Sequence, residues 1–206
     1  MNKIFKQYIT MITSIAIKEG KSVRPVNPLL LNRWSARSFA PQQINELELE
    51  TILEAASWAP SAMNEQPWRY IAALKQNSDG FKSLLNCLAP GNPIWAQHAA
   101  TLILCSAKKT YTLNGHSNIS AGHDTGMSNQ NLLLQAFSMH IYGHIMGGFD
   151  KDKARIDFKL NDDLEPICII ALGYLGEAEQ LEEPFKEREI TPRSRKSLSE
   201  FATFLK

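Results

Sequence analysis

The spacing of apolar residues changes several times along the chain, and each change marks an element. Leu47, Ile52, Leu53 and Ala56 recur at helical intervals and form one stripe. Asn45 stands where a helix needs an N-cap, and Glu48 three residues on completes a capping box. Ile44 and Leu49 flank them as a hydrophobic staple. The helix should stop near Trp58, because Pro60 disfavours helical geometry at Ala59. Residues 68–74 and 101–106 are rich in β-branched, aromatic and other apolar side chains, and predict strands. Residues 80–88 predict a short helix, and Pro90-Gly91-Asn92-Pro93 a turn.

Residues 108–123 are polar, contain Asn114-Gly115, and predict a mobile loop. Met127, Leu134, Phe137, Ile141 and Ile145 then suggest one long helix over residues 124–146, ended by Gly147-Gly148. Residues 167–174 are strongly apolar and predict the central strand of a sheet. Residues 195–205 form a short amphipathic segment. Strands separated by helices indicate an α/β or α+β layer fold. Gly20, Pro25, Asn27 and Pro28 mark residues 20–32 as a linker. Before it, a short apolar run interrupted by Thr10, Thr13 and Ser14 suits an amphipathic first helix or a leader better than a signal peptide. The expected organisation is therefore residues 1–30 as leader and linker, and 31–206 as one domain.

Composition narrows the function. The chain has 206 residues, 44% of them apolar, and a net charge of +1, so it has no global field to attract nucleic acid or an anionic membrane. No run approaches the roughly 20 apolar residues of a membrane span. Cys87, Cys105 and Cys168 are far apart in sequence, without metal or redox spacing, and fit a reducing cytoplasm; Cys105 and Cys168, inside apolar runs, read as small buried hydrophobes. His140 and His144 have the spacing of metal ligands on a helix, but Ile141 follows the first where a zinc protease would need glutamate. His123-Asp124 could form a dyad, but no nucleophile motif accompanies it, and Asp124 at a helix start is the more economical account.

Four segments carry the candidate chemistry. In an extended Arg33-Trp34-Ser35-Ala36-Arg37, both guanidiniums and the hydroxyl share a face, an arrangement suited to a phosphate or an anionic heterocycle. Taken alone, a solvated basic loop explains it better. Pro60-Ser61-Ala62-Met63-Asn64-Glu65-Gln66-Pro67-Trp68 is a loop bracketed by prolines, whose Asn64 and Gln66 amides match the donor–acceptor edge of a uracil-like ring. Backbone capping explains those residues equally well. Gly147-Gly148 permits close approach to a flat ligand, or caps a helix. Arg193-Ser194-Arg195 is a second phosphate-type pair, or a basic tail.

In this order and spacing, the four segments resemble the FMN-dependent nitroreductase family, from Arg33 to about Arg195. The resemblance implies an α+β, three-layer fold with a mostly antiparallel sheet flanked by helices, assembled as an intertwined homodimer with FMN at the interface. Arg33, Ser35, Arg193 and Arg195 would hold the phosphate, and Arg37 would lie near flavin N1 and the C2 carbonyl. Pro60, Ser61, Ala62, Asn64 and Gln66 would reach the flavin of the other subunit. Asn92 would touch the pyrimidine edge, and Gly147, beside Gly148, would place its N–H near N5.

The implied activity is ping-pong electron transfer from NADH or NADPH to a nitroaromatic, quinone or other electron-poor small molecule, with no catalytic acid and no metal assigned. Specialised relatives that reduce enones, remove halogens or fragment flavin are alternatives, as is a flavin store or sensor without turnover. Ala62-Met63 replaces the more polar pair common in the family. Gly147 stands where the oxygen-insensitive bacterial branch has glutamate, which bears on substrate range.

Overall fold

A computed structural model of the chain describes residues 17–205. The leader or first helix expected before Gly20 falls largely outside these residues. The centre is a four-stranded antiparallel sheet in the order β1-β2-β4-β3, formed by β1 (Trp68–Leu74), β2 (Thr101–Lys108), β3 (Ile141–Met146) and β4 (Leu164–Tyr174). β2 and β4 are inside, and they are the most continuously apolar because both of their faces are covered. Leu102, Leu104, Ile169 and Ala171 meet one layer, which includes Trp34, Phe39, Phe81, Leu84 and Trp95. Ile103, Ile170 and Leu172 meet the other, which includes Leu49, Ile52, Ala56, Leu132 and Ala136. The result is the expected α+β arrangement of three layers.

The helices follow their local signals. α1 (Pro28–Asn32) lies within the expected linker, capped by the Asn27 side chain. α2 (Glu46–Ser57) has the complete capping box: Asn45 accepts from the Glu48 N–H, and Glu48 accepts from the Asn45 N–H. Tyr174 also donates its hydroxyl proton to Glu48, at 2.7 Å, tying this cap to the end of β4. α3 (Ser78–Leu85) and α4 (Asn92–Ala96) cover the opposite face, so the expected turn at Asn92 is instead the start of a short helix. α5 (Ala121–Ser138) packs beside α2, α6 (Lys151–Asp157) precedes β4, and α7 (Phe185–Ile190) follows it.

The long helix expected over residues 124–146 is in fact two elements. α5 ends at Ser138, His140 turns the chain with φ of 60°, and β3 begins at Ile141. Phe137, Ile141 and Ile145 happen to continue the helical spacing, which hides the break. Gly143 is what allows the strand to pack there. A side chain at this position would start 2.3 Å from a Leu133 methyl of α5 and 2.8 Å from one of Leu172. Gly147-Gly148 therefore follows a strand, and its helix-capping account falls. The polar stretch after β2 is also fastened rather than free: Thr110 bridges to Ser117, and Glu65 accepts hydrogen bonds from Lys108 and Thr112.

All three cysteines are unpaired and buried, Cys105 and Cys168 as the sequence suggested and Cys87 as well. Cys105 and Cys168 face each other across β2 and β4, where Asn129 bonds both. Replacing Asn45 with alanine removes the acceptor for the Glu48 N–H. It should lower stability by about 1 kcal/mol in urea denaturation.

Candidate cofactor-binding site

The segment from Arg33 to Phe39 belongs to no helix or named strand, yet its side chains alternate as the sequence predicts. Trp34, Ala36 and Ser38 are buried, whereas Arg33, Ser35 and Arg37 are half-buried on the other face. Arg33 donates to the Ser35 hydroxyl at 3.2 Å. The Arg37 guanidinium stacks 5.9 Å from the Trp95 ring centre. These side chains, with Arg188, Arg193 and Arg195, line a cavity of about 460 Å³, well within the size of small-molecule sites. Burial pushes the Arg33, Arg37 and Arg193 guanidiniums down from their usual value; neighbouring arginines add to this at Arg33 and Arg193, whereas at Arg37 the Glu189 charge opposes it by more than Arg188 adds. A site that crowds partly desolvated cations around a cavity fits an anionic ligand such as a phosphate.

Arg193 has a structural task as well. Its guanidinium donates to the main-chain carbonyls of Lys18, Leu31 and Arg33, and lies over the Trp34 ring. Two of its five N–H donors remain for a ligand. Arg195 is exposed and turns one N–H to the Ser194 carbonyl.

The Pro60–Gln66 loop lies elsewhere. Met63, Asn64 and Gln66 have φ of 54°, 54° and 52°, although none is glycine, and such strain persists only where the surroundings impose it. Here they do. The Ser61 hydroxyl accepts from the Gln66 N–H, Asp124 accepts from the Ala62 N–H at 2.9 Å, and Glu65 is clasped by Lys108 and Thr112. Those bonds hold the Glu65 carboxyl down at about 2. Asn64 and Gln66 are exposed, and the Gln66 amide donates to the Asn64 main-chain carbonyl at 3.4 Å.

Asn92 and Gly148 come together, the Asn92 amide donating to the Gly148 carbonyl at 3.2 Å. Gly147 is exposed, with nothing within 4 Å of where a side chain would begin. Through Trp95, three residues on from Asn92, this corner adjoins Arg37. The loop does not join them. It meets the sheet at the Lys108 and Leu164 end of β4, because Lys108 donates to the Pro67 carbonyl. The arginine segment meets the other end, where Phe39 bridges to Leu175. Ser35 and Ala36 lie over His144, whose partner on β4 is Ala171, and the seven residues from there to Leu164, at ~3.3 Å each, put that stretch ~20 Å along the sheet from the loop within one chain.

Three residues hold these segments in ways the sequence does not show: Glu189 is not singled out there, and His144 and Asp124 suggest other roles. The Glu189 carboxylate is wholly buried, accepts from the Arg37 N–H and the Trp34 indole N–H, and pairs with Lys18 at 3.4 Å. Burial pushes its carboxyl up. His144, on β3, donates from Nδ1 to the Ser35 and Ala36 carbonyls and stacks 4.7 Å from Trp95. It is not a partner of His140 on a helix face. Burial and the Arg37 charge push the His144 imidazole down to about 4. Asp124 sits in the first turn of α5, buried, rather than capping it. Glu189 looks like an ordinary member of a polar stretch, and nothing local in the sequence marks either it or Asp124 as buried.

Residues 30–174 match the model of the nitroreductase family. The chain belongs to that family. A crystallised oxidoreductase containing FMN is 32% identical, with a TM-score of 0.85 over 89% of this chain and 93% of its own. A nitroreductase family protein from Clostridium difficile 630 is 25% identical, with a TM-score of 0.64 over 93% of this chain and 96% of its own. A protein of Archaeoglobus fulgidus, provisionally named an NADH dehydrogenase/NAD(P)H nitroreductase, is 24% identical over 71% of this chain and 83% of its own length. This nitroreductase-family chain thus shares its architecture with proteins that cover nearly all of it.

The histidine beneath the arginine segment gives a pH signature. Unfolded, His144 takes a proton near its ordinary value of 6.5, whereas folded it resists until about 4. Between those values the unfolded chain binds more protons, so this contribution to stability is complete above about 6.5 and declines as pH falls towards 4. Urea denaturation at stepped pH should show that decline, and His144→Phe should flatten it.

Proposed function

We propose that this protein binds FMN and transfers electrons from NADH or NADPH to a small electron-poor acceptor, such as a nitroaromatic or a quinone. The observation that carries the reading is the cationic cavity under Arg33, Ser35 and Arg37. The FMN named for the 32% identical relative supports the cofactor. The nicotinamide in the name of the Archaeoglobus fulgidus relative supports the donor.

Arg33, Ser35 and Arg195 would hold the phosphate, with the charge and remaining donors of Arg193 behind them. Arg37 would face the ring system beside Trp95, and Asn92, Gly147 and Gly148 would border it. The chemistry that FMN supplies when bound is two-electron transfer, from the nicotinamide in one half-reaction and to the acceptor in the other, so both substrates use one pocket in turn. Arg37 is a fixed, partly desolvated cation, and it stabilises negative charge arriving next to it. His144 stays neutral at physiological pH and does not compete for that charge. The open surface at Gly147 leaves room for a flat substrate.

The working unit in this reading is a homodimer. Ser61, Ala62, Asn64 and Gln66 lie ~20 Å along the sheet from the Ser35 stretch of their own chain, and in this reading the loop of a second copy closes over the ligand instead. Trp58 and Met63, each 78% exposed, give the loop end of the molecule an apolar surface for such a partner.

The purified protein should carry near-stoichiometric flavin absorbance, bleached by NADH or NADPH without oxygen. A protein that retains and takes up no FMN would overturn the reading. Arg37→Ala should raise the FMN dissociation constant roughly 10- to 100-fold, as expected for one lost charge-assisted bond, and lower the flavin potential.

Mixed dimers test the assembly. Arg33→Ala/Arg37→Ala and Asn64→Ala/Gln66→Ala should each hold FMN weakly as homodimers. Co-assembled, they should regain one site of wild-type affinity per dimer by fluorescence titration. No recovery would mean that each chain builds its site alone.

A further inference from the structure

The loop Ser61–Gln66 brings a titratable group with it that has no part in flavin binding. Asp124, in the first turn of α5, accepts the Ala62 N–H with Oδ2 and faces His123 Nδ1 with Oδ1 at 3.1 Å. The aspartate side chain is 4% exposed and the histidine side chain 74%. A buried carboxylate therefore holds one nitrogen of an imidazole whose other nitrogen reaches open solvent. That orientation fixes the Nδ1–H tautomer and aims Nε2 outward. The loop bonded to the pair is rigid, since Met63, Asn64 and Gln66 are held in left-handed geometry and Glu65 is clasped by Lys108 and Thr112. Gly122 and Gly126 flank His123 on α5, and no atom lies within 4 Å of where their side chains would begin. A flat molecule can therefore lie beside the ring.

We propose that His123 is the proton donor to the electron acceptor, oriented by Asp124. The proposal rests on the oxidoreductase reading above and adds to it the acid it left unassigned. In the assembled dimer, His123 travels with the Ala62 loop to the site of the partner subunit. Reduction of a quinone to a hydroquinone takes two electrons and two protons. Both electrons and one proton come as hydride from the reduced flavin. The second proton leaves Nε2 of the charged imidazole: that N–H bond breaks and the second hydroquinone O–H forms. The neutral imidazole keeps its Nδ1–H on Asp124, and exposed Nε2 takes a new proton from water.

The test compares two oxidants of the NAD(P)H-reduced protein in anaerobic stopped flow. 1,4-Benzoquinone needs protons; ferricyanide takes electrons alone. His123→Gln, an exposed substitution whose folding is checked by thermal melting, should slow reoxidation by benzoquinone roughly 10- to 100-fold and flatten its pH profile. Ferricyanide should reoxidise both proteins alike. Equal slowing with both oxidants, or none with either, overturns the proposal while leaving the oxidoreductase reading intact. A protein that binds no flavin, or whose flavin NAD(P)H does not bleach, overturns that reading instead. Independently of turnover, long-range ¹H–¹⁵N correlation spectra of histidine-labelled protein should show neutral His123 as the Nδ1–H tautomer. The Nε2–H tautomer would remove the Asp124 contact on which the proposal stands.

Discussion

The buried carboxylate of Glu189 is the contact on which the arginine segment depends. A stretch of chain outside any helix or sheet ladder must find partners for its main-chain groups, and one packed over a core cannot rely on water. Glu189 takes the Arg37 N–H and the Trp34 indole, and its charge answers that of Lys18 at the same point. His144 takes the Ser35 and Ala36 carbonyls from the sheet side, and Arg193 takes the Arg33 carbonyl from the C-terminal side. Three elements distant in sequence thus fix a seven-residue coil as firmly as a strand. Removing the carboxylate would leave the Arg37 N–H and the buried Trp34 indole N–H without their acceptor, and such losses cost about 1–3 kcal/mol each.

The same principle, in a different form, governs the second half of the site. The Ser61–Gln66 loop stores strain in left-handed residues that lack the freedom of glycine. Asp124 and the Glu65 clasp hold it in that shape. A loop so constrained has little conformational freedom left to lose when a ligand meets it. Both halves are therefore stiff before anything binds, and they differ in charge: the arginine half is cationic, whereas the loop half presents amides and an imidazole.

Much of this was legible in the sequence where a local rule matched the three-dimensional outcome. The capping box at Asn45 and Glu48 reported a real helix start, and the apolar runs around residues 68–74, 101–106 and 167–174 reported strands of the sheet. The alternation of Arg33, Ser35 and Arg37 with Trp34 and Ala36 reported a two-faced coil, because one of its faces is indeed buried. What escaped was set by tertiary contacts. β3 continued the spacing of α5 and was masked by it, since periodicity alone cannot register the left-handed turn at His140. Glu189 lies in a stretch crowded with exposed charges, and only the packing of α7 against the Trp34 layer buries it. The Asp124 bond to Ala62 spans 62 residues and leaves no local mark.

Strand β4 also works as a ruler. Its residues Leu164–Tyr174 run from the loop towards the arginine segment, so the strand's length sets how far apart the two stand within one chain. A one-residue insertion would turn every later side chain to the opposite layer. A two-residue insertion would keep the faces but slide the halves apart by ~7 Å. The irregularity between β2 and β4 at Cys105 and Ser106 lies beside Pro166, beyond the end of β3, where β4 has a neighbour on one side only. The loops at the two ends of the ruler can therefore change without altering the spacing of the two segments, whereas its length cannot.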